Sequence, residues 1–437
     1  MANSLVTMFR IEDLRKKIIF TLVAFIVFRF GAHLIIPGID PQALSAYFKS
    51  TLGSNSFIDQ MDFFVGGAFS NFSVFMLGVM PYISTEILFQ LAMFIFPSLK
   101  KVAEEDGGRR KIQGWTRLAT IAVALLQSTA VIAYVSGIPG AVVIPRGWHV
   151  FITLLTVTTG TMITIWLGEQ ITAHGVGNGI SMLIFAGIVA RMPAATWELV
   201  KKVRSGSVNL VFVVLAFIMF IGIVVLVIYE QQGQRKIMVD YAKRVRGRKV
   251  YGGQSTYIPF KINPSGVMPV IFASSILMFP AQLANMLAGQ AKWLRSVSEF
   301  LNPMGLGYNI LYVAFIILFA YFQTMIQLNP IEIAKQLREN GGTIRGIRAE
   351  KTEEYLQKVL NRLIFPGAIY LAIIAVIPTM IQIWFQFPRE IATLMGGTSL
   401  LILVGVDIDT MAQIEAQLKM HHHEGLVKRG RLRSRGL

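Results

Sequence analysis

The stretch LGVMPYISTEILFQL, from Leu77 to Leu91, is apolar enough to lie in a lipid bilayer, yet it contains a proline and a glutamate. Proline lacks the amide hydrogen that a helix interior needs, and a charge at the bilayer centre costs about 3 kcal/mol on insertion scales. A helix that only anchors a chain would carry neither residue. Pro81 and Glu86, next to Ile83 and Ile87, therefore indicate a helix that lines a path.

The composition of the whole chain is that of a membrane protein. Its 437 residues are 54% hydrophobic and 15% charged, whereas a soluble domain carries about 25% charged residues. Apolar runs of about 20 residues, the length that crosses a bilayer as a helix, predict an all-α integral membrane protein. The chain has no cysteine, which excludes thiol chemistry. We predict ten spans, at 18–36, 73–97, 116–136, 150–172, 178–197, 209–229, 264–287, 309–328, 363–384 and 390–409.

Lysine and arginine are distributed unevenly between the loops. The segments on one side of the predicted membrane hold 31 of the 41 basic residues; these segments are 1–17, 98–117, 230–262, 329–362 and 419–437. Since cytoplasmic loops concentrate Lys and Arg, both termini are predicted to be cytoplasmic. The loops 230–262 and 329–362 are longer than a helix connection needs. Two explanations fit the charge of these loops equally. One is membrane topology alone; the other is docking of a large cytoplasmic partner, such as one with exposed nucleic-acid phosphates.

Two internal echoes predict a duplicated architecture. GVMPYI at 78–83 matches GVMPVI at 266–271, and GISMLI at 179–184 matches GTSLLI at 397–402. Each echo pairs the same ordinal span of two five-span halves, 1–203 and 204–437. An odd number of spans inserts the second half upside down, which is an inverted repeat of the kind found in proteins that move material across a bilayer. The echoes align isoleucines at equivalent depths on four helices.

The opening stretch and WLGEQITAHGVGNGISMLIF at 166–185 resemble the signature stretches of the SecY family of bacterial protein-translocation channels. The resemblance extends to GGTSLLI at 396–402, QRKIMVDYAKR at 234–244 and GIR at 346–348. It implies an hourglass of two five-span halves in the cytoplasmic membrane of a bacterium. Such a channel passes unfolded secretory polypeptides across the membrane and releases transmembrane segments sideways into lipid.

The resemblance also assigns candidate residues by position. The ring that closes the waist is Ile83, Ile87, Ile184, Ile188, Ile271 and Ile402. The plug, a short half-helix at about 62–72, includes Asp62, Phe64, Gly66, Gly67, Ala68 and Phe69. The lateral gate, between spans two and three of one half and seven and eight of the other, includes Glu86, Gln90 and Phe279.

The resemblance implies partners as well. SecE clamps the halves and SecG is an accessory membrane subunit, while the SecA motor and the ribosome dock on the loops 230–262 and 329–362. The docking residues implied are Arg235, Lys236, Lys243, Arg244 and Arg348. The chain has no P-loop motif, so energy is expected from a partner, and no catalytic residue, cofactor or metal is assigned. His421, His422 and His423 are interpreted as part of a solvated tail.

Two alternatives stay open from the residues alone. Glu86 stands where SecY relatives usually carry a small polar residue, and it is either a gate residue or a solvated funnel residue without a gating role. The rival function is a secondary transporter of a small solute, which shares inverted repeats and broken helices. A transporter needs polar ligands near the midplane, whereas the matched positions here are isoleucines.

Overall fold

The computed structural model describes residues 11–51, 62, 65–206, 210–241, 244–246, 249–251, 255–287, 292–303, 305–385 and 397–433. Most of them are helical. The first half contains α1 (Glu12–Gly31), α2 (Pro41–Thr51), α3 (Met80–Ile95), α4 (Pro97–Glu104), α5 (Gly108–Ser136), α6 (Arg146–His174) and α7 (Gly179–Arg204). The second contains α8 (Leu210–Gln232), α9 (Met268–Leu287), α10 (Lys292–Phe300), α11 (Leu306–Gln327), α12 (Pro330–Glu339), α13 (Thr352–Phe385) and α14 (Gly397–Arg433).

A helix overlaps each of the ten predicted spans, but over their described residues fewer than ten of these helices are long and apolar enough to cross a membrane. Among the described residues, six helices are long and apolar enough to cross, or seven if α3 and α4, which meet at a bend of 110°, form one span. The count of ten spans is therefore not confirmed. Helix α1 shows a physical reason, because Arg15, Lys16, Lys17 and Arg29 all lie within its 20 residues.

The order of helix packing in the first half recurs in the second. Helix α3 packs on α5, α5 on α6, α6 on α7, and α7 on α1. Correspondingly, α9 packs on α11, α11 on α13, α13 on α14, and α14 on α8. The halves touch where α9 meets α3 and α5, and where α14 meets α7. The four helices that carry the sequence echoes, together with α5, thus join the halves.

The two GVMP echoes also have the same backbone conformation. Gly78 and Gly266 both have positive φ, at 52° and 61°, a region that favours glycine because it has no Cβ. In each copy the methionine is the first helical residue and the proline the second, where a missing amide hydrogen breaks no helical bond. Pro81 therefore starts α3 instead of kinking it, and the helix begins later than the predicted span at 73.

A small sheet lies outside the helical bundle and joins the two long basic loops. Strands β1 (Gln234–Tyr241), β2 (Arg244–Arg246), β3 (Lys249–Tyr251) and β4 (Ser255–Lys261) come from the first loop, and β5 (Gly342–Ile344) comes from the second. The strands lie in the order β4-β1-β5, and β1 is antiparallel to both neighbours, with Val239 opposite Ile344. Ile237, Val239 and Phe260 pack with residues of α12 and α13 in a separate hydrophobic core.

Candidate functional site

The six candidate ring isoleucines are buried together. They come from α3, α7, α9 and α14, each is at most 4% exposed, and all belong to one hydrophobic cluster. Branched alkyl side chains from both halves therefore lie in one buried cluster instead of facing lipid, and Ile83, Ile184 and Ile271 line the same cavity.

Helix α7 contacts, one after the other along its length, a cavity, the buried isoleucine cluster and the segment that contains Asp62. Ser181 and Ile184 line a cavity of about 390 Å³, while Ile184 and Ile188 lie in the buried cluster. One turn further, Arg191 contacts the segment that contains Asp62. From Ser181 to Arg191 is about 15 Å along an α-helix. Along α7, Ile184 and Ile188 thus lie between the cavity and the candidate plug.

The cavity is polar on one side and apolar where it reaches the ring. Ile83, Ile184 and Ile271 form part of its wall. Its polar lining includes Glu86, Tyr82, Gln113, Arg117, Glu169 and Asn178. Arg117 and Glu169 form an ion pair of 2.7 Å between Nη2 and Oε1. Such a mixture can hold water in the cavity but not at its isoleucine end.

The candidate gate residues lie on helices that meet across the halves. Glu86 faces the cavity, and its polar partner among the described residues is Gln90 on the same helix, at 3.5 Å between Oε1 and Nε2. Phe279 lies in α9, and its side chain is outside the described residues. Phe94 of α3 and Phe322 of α11 pack edge to face across the halves, with ring centroids 5.4 Å apart.

Asp62 is helical, and residues 65–72 of the candidate plug form a series of turns and not a continuous half-helix. Gly66 and Gly67 have φ values of 68° and 88°, which cannot continue a right-handed helix. Ala68 and Phe69 are buried. Phe64 lies outside the described residues.

Sequence reasoning missed two arginines that contact this segment. Arg29 of α1 donates a hydrogen bond to the Gly66 carbonyl oxygen at 2.6 Å, and Arg191 of α7 pairs with the buried Asp62. The available signal was an arginine inside each of two predicted spans, since such charges rarely occur without a partner.

Of the candidate docking residues, two lie in the sheet β4-β1-β5, which joins the two loops that the sequence treated separately. Arg235 and Lys236 lie on β1 with exposed side chains, and Arg348 is exposed four residues after β5 ends. Arg244 lies in β2, but its side chain is not described, and Lys243 lies outside the described residues. The histidines 421–423 continue α14, again without described side chains. Among the described residues, no cluster of three His, Asp or Glu side chains could hold a metal ion.

These features define a multi-pass helical membrane protein with a buried apolar cluster that both halves share. The SecY family model matches residues 73–411, and the chain belongs to the SecY family. It is 47% identical over 421 residues to the protein translocase subunit SecY of Borreliella burgdorferi, covering 96% of each chain. It is 39% identical over 431 residues to that of Escherichia coli K12, covering 97% of this chain and 96% of the relative.

Solved structures share the fold. One described as "The structure of a protein conducting channel" matches with a TM-score of 0.63 at 16% identity and covers 92% of each chain. Another is described as "Sec61 in the Canine ribosome-channel complex from the endoplasmic reticulum"; it has a TM-score of 0.61 at 16% identity, and covers 92% of each chain. With its bacterial relatives and its apolar helices, the chain is a multi-pass protein of the bacterial inner membrane.

Proposed function

We propose that this chain is the protein-conducting channel of a bacterial Sec translocase. It passes unfolded secretory polypeptides across the cytoplasmic membrane and releases transmembrane segments into lipid. One observation carries the proposal: six isoleucines from both halves are buried in one hydrophobic cluster, and three of them line a part-polar cavity.

The isoleucine ring suits a channel whose cargo has no fixed sequence. A narrow apolar constriction expels water and so blocks ions. Its side chains offer no hydrogen bonds, and specificity for a small solute comes from paired polar groups. A ring of this kind seals around an extended polypeptide without binding any one side chain. A solute transporter instead needs polar groups that bind its solute specifically.

The lateral exit is proposed between α3 and α5 on one half and α9 and α11 on the other. Phe94 of α3 and Phe322 of α11 pack edge to face across this contact, and an apolar signal helix can replace such a contact with a similar one. The helices that overlie the ten predicted spans are proposed to cross the membrane in two inverted halves, 1–203 and 204–437, with both termini cytoplasmic. Support comes from the charge asymmetry and from the repeated helix order.

Partners are proposed for this chain, as is the position of its plug. The sheet β4-β1-β5 presents Arg235, Lys236 and Arg348 and suits the docking of SecA or of a ribosome, whose phosphates attract basic side chains. One structural neighbour is itself described as a ribosome-channel complex. SecE and SecG are proposed as membrane subunits on the strength of the family. The segment 62–72 is proposed as the plug on the outer side of the ring.

The test replaces one ring residue by a polar residue of similar size. Ile402→Asn puts an amide into the apolar constriction, where water and ions can then enter. We expect purified complex in planar bilayers to show a raised resting conductance, and inner-membrane vesicles to import radiolabelled precursors with defective signal sequences. Ile373→Asn is the matched control, because Ile373 is 55% exposed on α13; it should leave both measurements unchanged.

Equal conductance and equal precursor selectivity in Ile402→Asn and wild type would contradict the proposal. A transporter would instead lose uptake of a solute and would import no precursor in the presence of SecA and ATP. The two outcomes separate the functions in a single set of vesicles.

A further inference from the structure

Asp62 is a carboxylate at the centre of the candidate plug with no exposure to solvent. Its Oδ1 accepts a hydrogen bond from the Ser70 amide at 2.8 Å. Its Oδ2 lies 2.9 Å from Nη1 of Arg191 on α7, and the described residues give this oxygen no further hydrogen bond. The ion pair with Arg191 is therefore what compensates the buried charge.

A second arginine holds the same segment from another helix. Arg29 of α1 donates to the Gly66 carbonyl oxygen at 2.6 Å, and it lies close enough to Asp62 and Arg191 to interact electrostatically with both. Two guanidinium groups thus surround one carboxylate. Both arginines belong to helices of the first half.

Backbone packing requires the segment to seat closely. A Cβ on Gly66 would lie 2.7 Å from the Cα of Gly187 on α7, which is too close for any other residue without a shift. Gly187 and Arg191 are four residues apart and so share one face of the helix. The close approach of Gly66 and the ion pair of Asp62 therefore reinforce each other on the same face of α7.

We propose that Asp62 and Arg191 form a latch that holds the plug against the first half, with Arg29 as a second attachment. This inference rests on the proposed channel function and assigns a positioning role to the three residues. Removing one partner of a buried ion pair strongly destabilises the arrangement that contains it. The plug therefore stays seated until water reaches the ion pair. Because both attachments lie in the first half, separation of the halves at the lateral gate does not by itself release the plug.

The test combines conductance with a direct measure of plug position. Asp62→Asn keeps the oxygen that accepts from Ser70 but removes the charge. Since the chain has no cysteine, Ala68→Cys introduces a single thiol at a site with no exposure to solvent in the seated plug. In complexes reconstituted with SecE and SecG, we expect Asp62→Asn to raise both resting conductance and maleimide labelling of this thiol by about tenfold or more, as loss of a buried ion pair implies.

The double variant Asp62→Asn with Arg191→Gln should exceed neither single variant by more than about twofold, because partners in one pair are not additive. Asp409→Asn is the matched control, since Asp409 pairs with Lys261 at 3.6 Å on an exposed surface; it should behave as wild type. If Asp62→Asn fails to assemble, Arg191→Gln provides the same test, because Arg191 is only partly buried.

Labelling of the introduced thiol at the rate seen without a latch substitution, in both single variants, overturns the latch, whatever the conductance. A raised conductance without raised labelling also overturns it, since the leak then arises elsewhere. Failure of the channel function itself looks different, because no variant, Ile402→Asn included, would then conduct or import precursor.

Discussion

The two GVMP segments begin α3 and α9 with the same backbone conformation, but different structures precede them. Ahead of Gly78 lie the turns at 65–77, which bury Ala68 and Phe69 against the bundle. Ahead of Gly266 lies β4, part of the sheet outside the bundle. The repeat therefore supplies two equivalent candidate pore-lining helices, and the unlike segments before them supply a candidate seal and a candidate docking surface. In inverted halves these two segments lie on opposite sides of the membrane.

The surroundings of the two glycines show the same difference at atomic scale. A Cβ on Gly78 would lie 3.0 Å from Cγ1 of Val65, whereas a Cβ on Gly266 would meet no atom within 4 Å. Val65 packs with Ala32 and Ala68 in a small cluster of its own. The first half is thus packed tightly at the point where the second half is open.

The largest effect is expected on the sheet that precedes the second segment. Val239 is buried and Met238 is 56% exposed, although they are neighbours on β1. Val239→Asp places an unpaired carboxylate in the core shared with α12 and α13, which costs several kcal/mol. We expect rapid proteolysis within 230–262 and loss of ribosome binding, with resting conductance unchanged. Met238→Asp is the control, and equal proteolysis of the two variants would contradict the described sheet register.

A smaller effect is expected from alanine at the two glycines. Positive φ costs an alanine about 1–2 kcal/mol at either position. Only Gly78→Ala also crowds Val65, whose side chain must shift by a few tenths of an ångström against Ala32 and Ala68. Both variants should lower the thermal unfolding midpoint by a similar amount, but only Gly78→Ala should raise resting conductance. A leak of the same size in Gly266→Ala would show that backbone strain, and not plug packing, opens the channel.

The smallest effect is expected where the repeat itself differs. With Ile83 aligned to Ile271, Glu86 corresponds to Ser274, whose hydroxyl donates to the Ile271 carbonyl oxygen at 2.9 Å. Glu86 lines the cavity, and among the described residues its hydrogen-bond partner is Gln90 of its own helix. Glu86→Ser should therefore change conductance and signal-sequence selectivity by no more than about twofold. The measurement is import of precursors with graded signal hydrophobicity. A tenfold relaxation of selectivity would instead assign Glu86 to the gate.

The sequence alone determined that the protein is helical and membrane-embedded, because hydrophobic runs and loop charges act locally. It also paired the helices that join the halves, since the echoes at 78–83 and 266–271 mark equivalent helix starts. It did not determine the number of qualifying spans or the turns of the plug, because Gly66 and Gly67 allow several conformations. The sheet and the ion pair were decided only by the tertiary structure. Val239 meets Ile344 across about a hundred residues, and Asp62 meets Arg191 across more; no local pattern encodes which distant partner satisfies a strand edge or a buried charge.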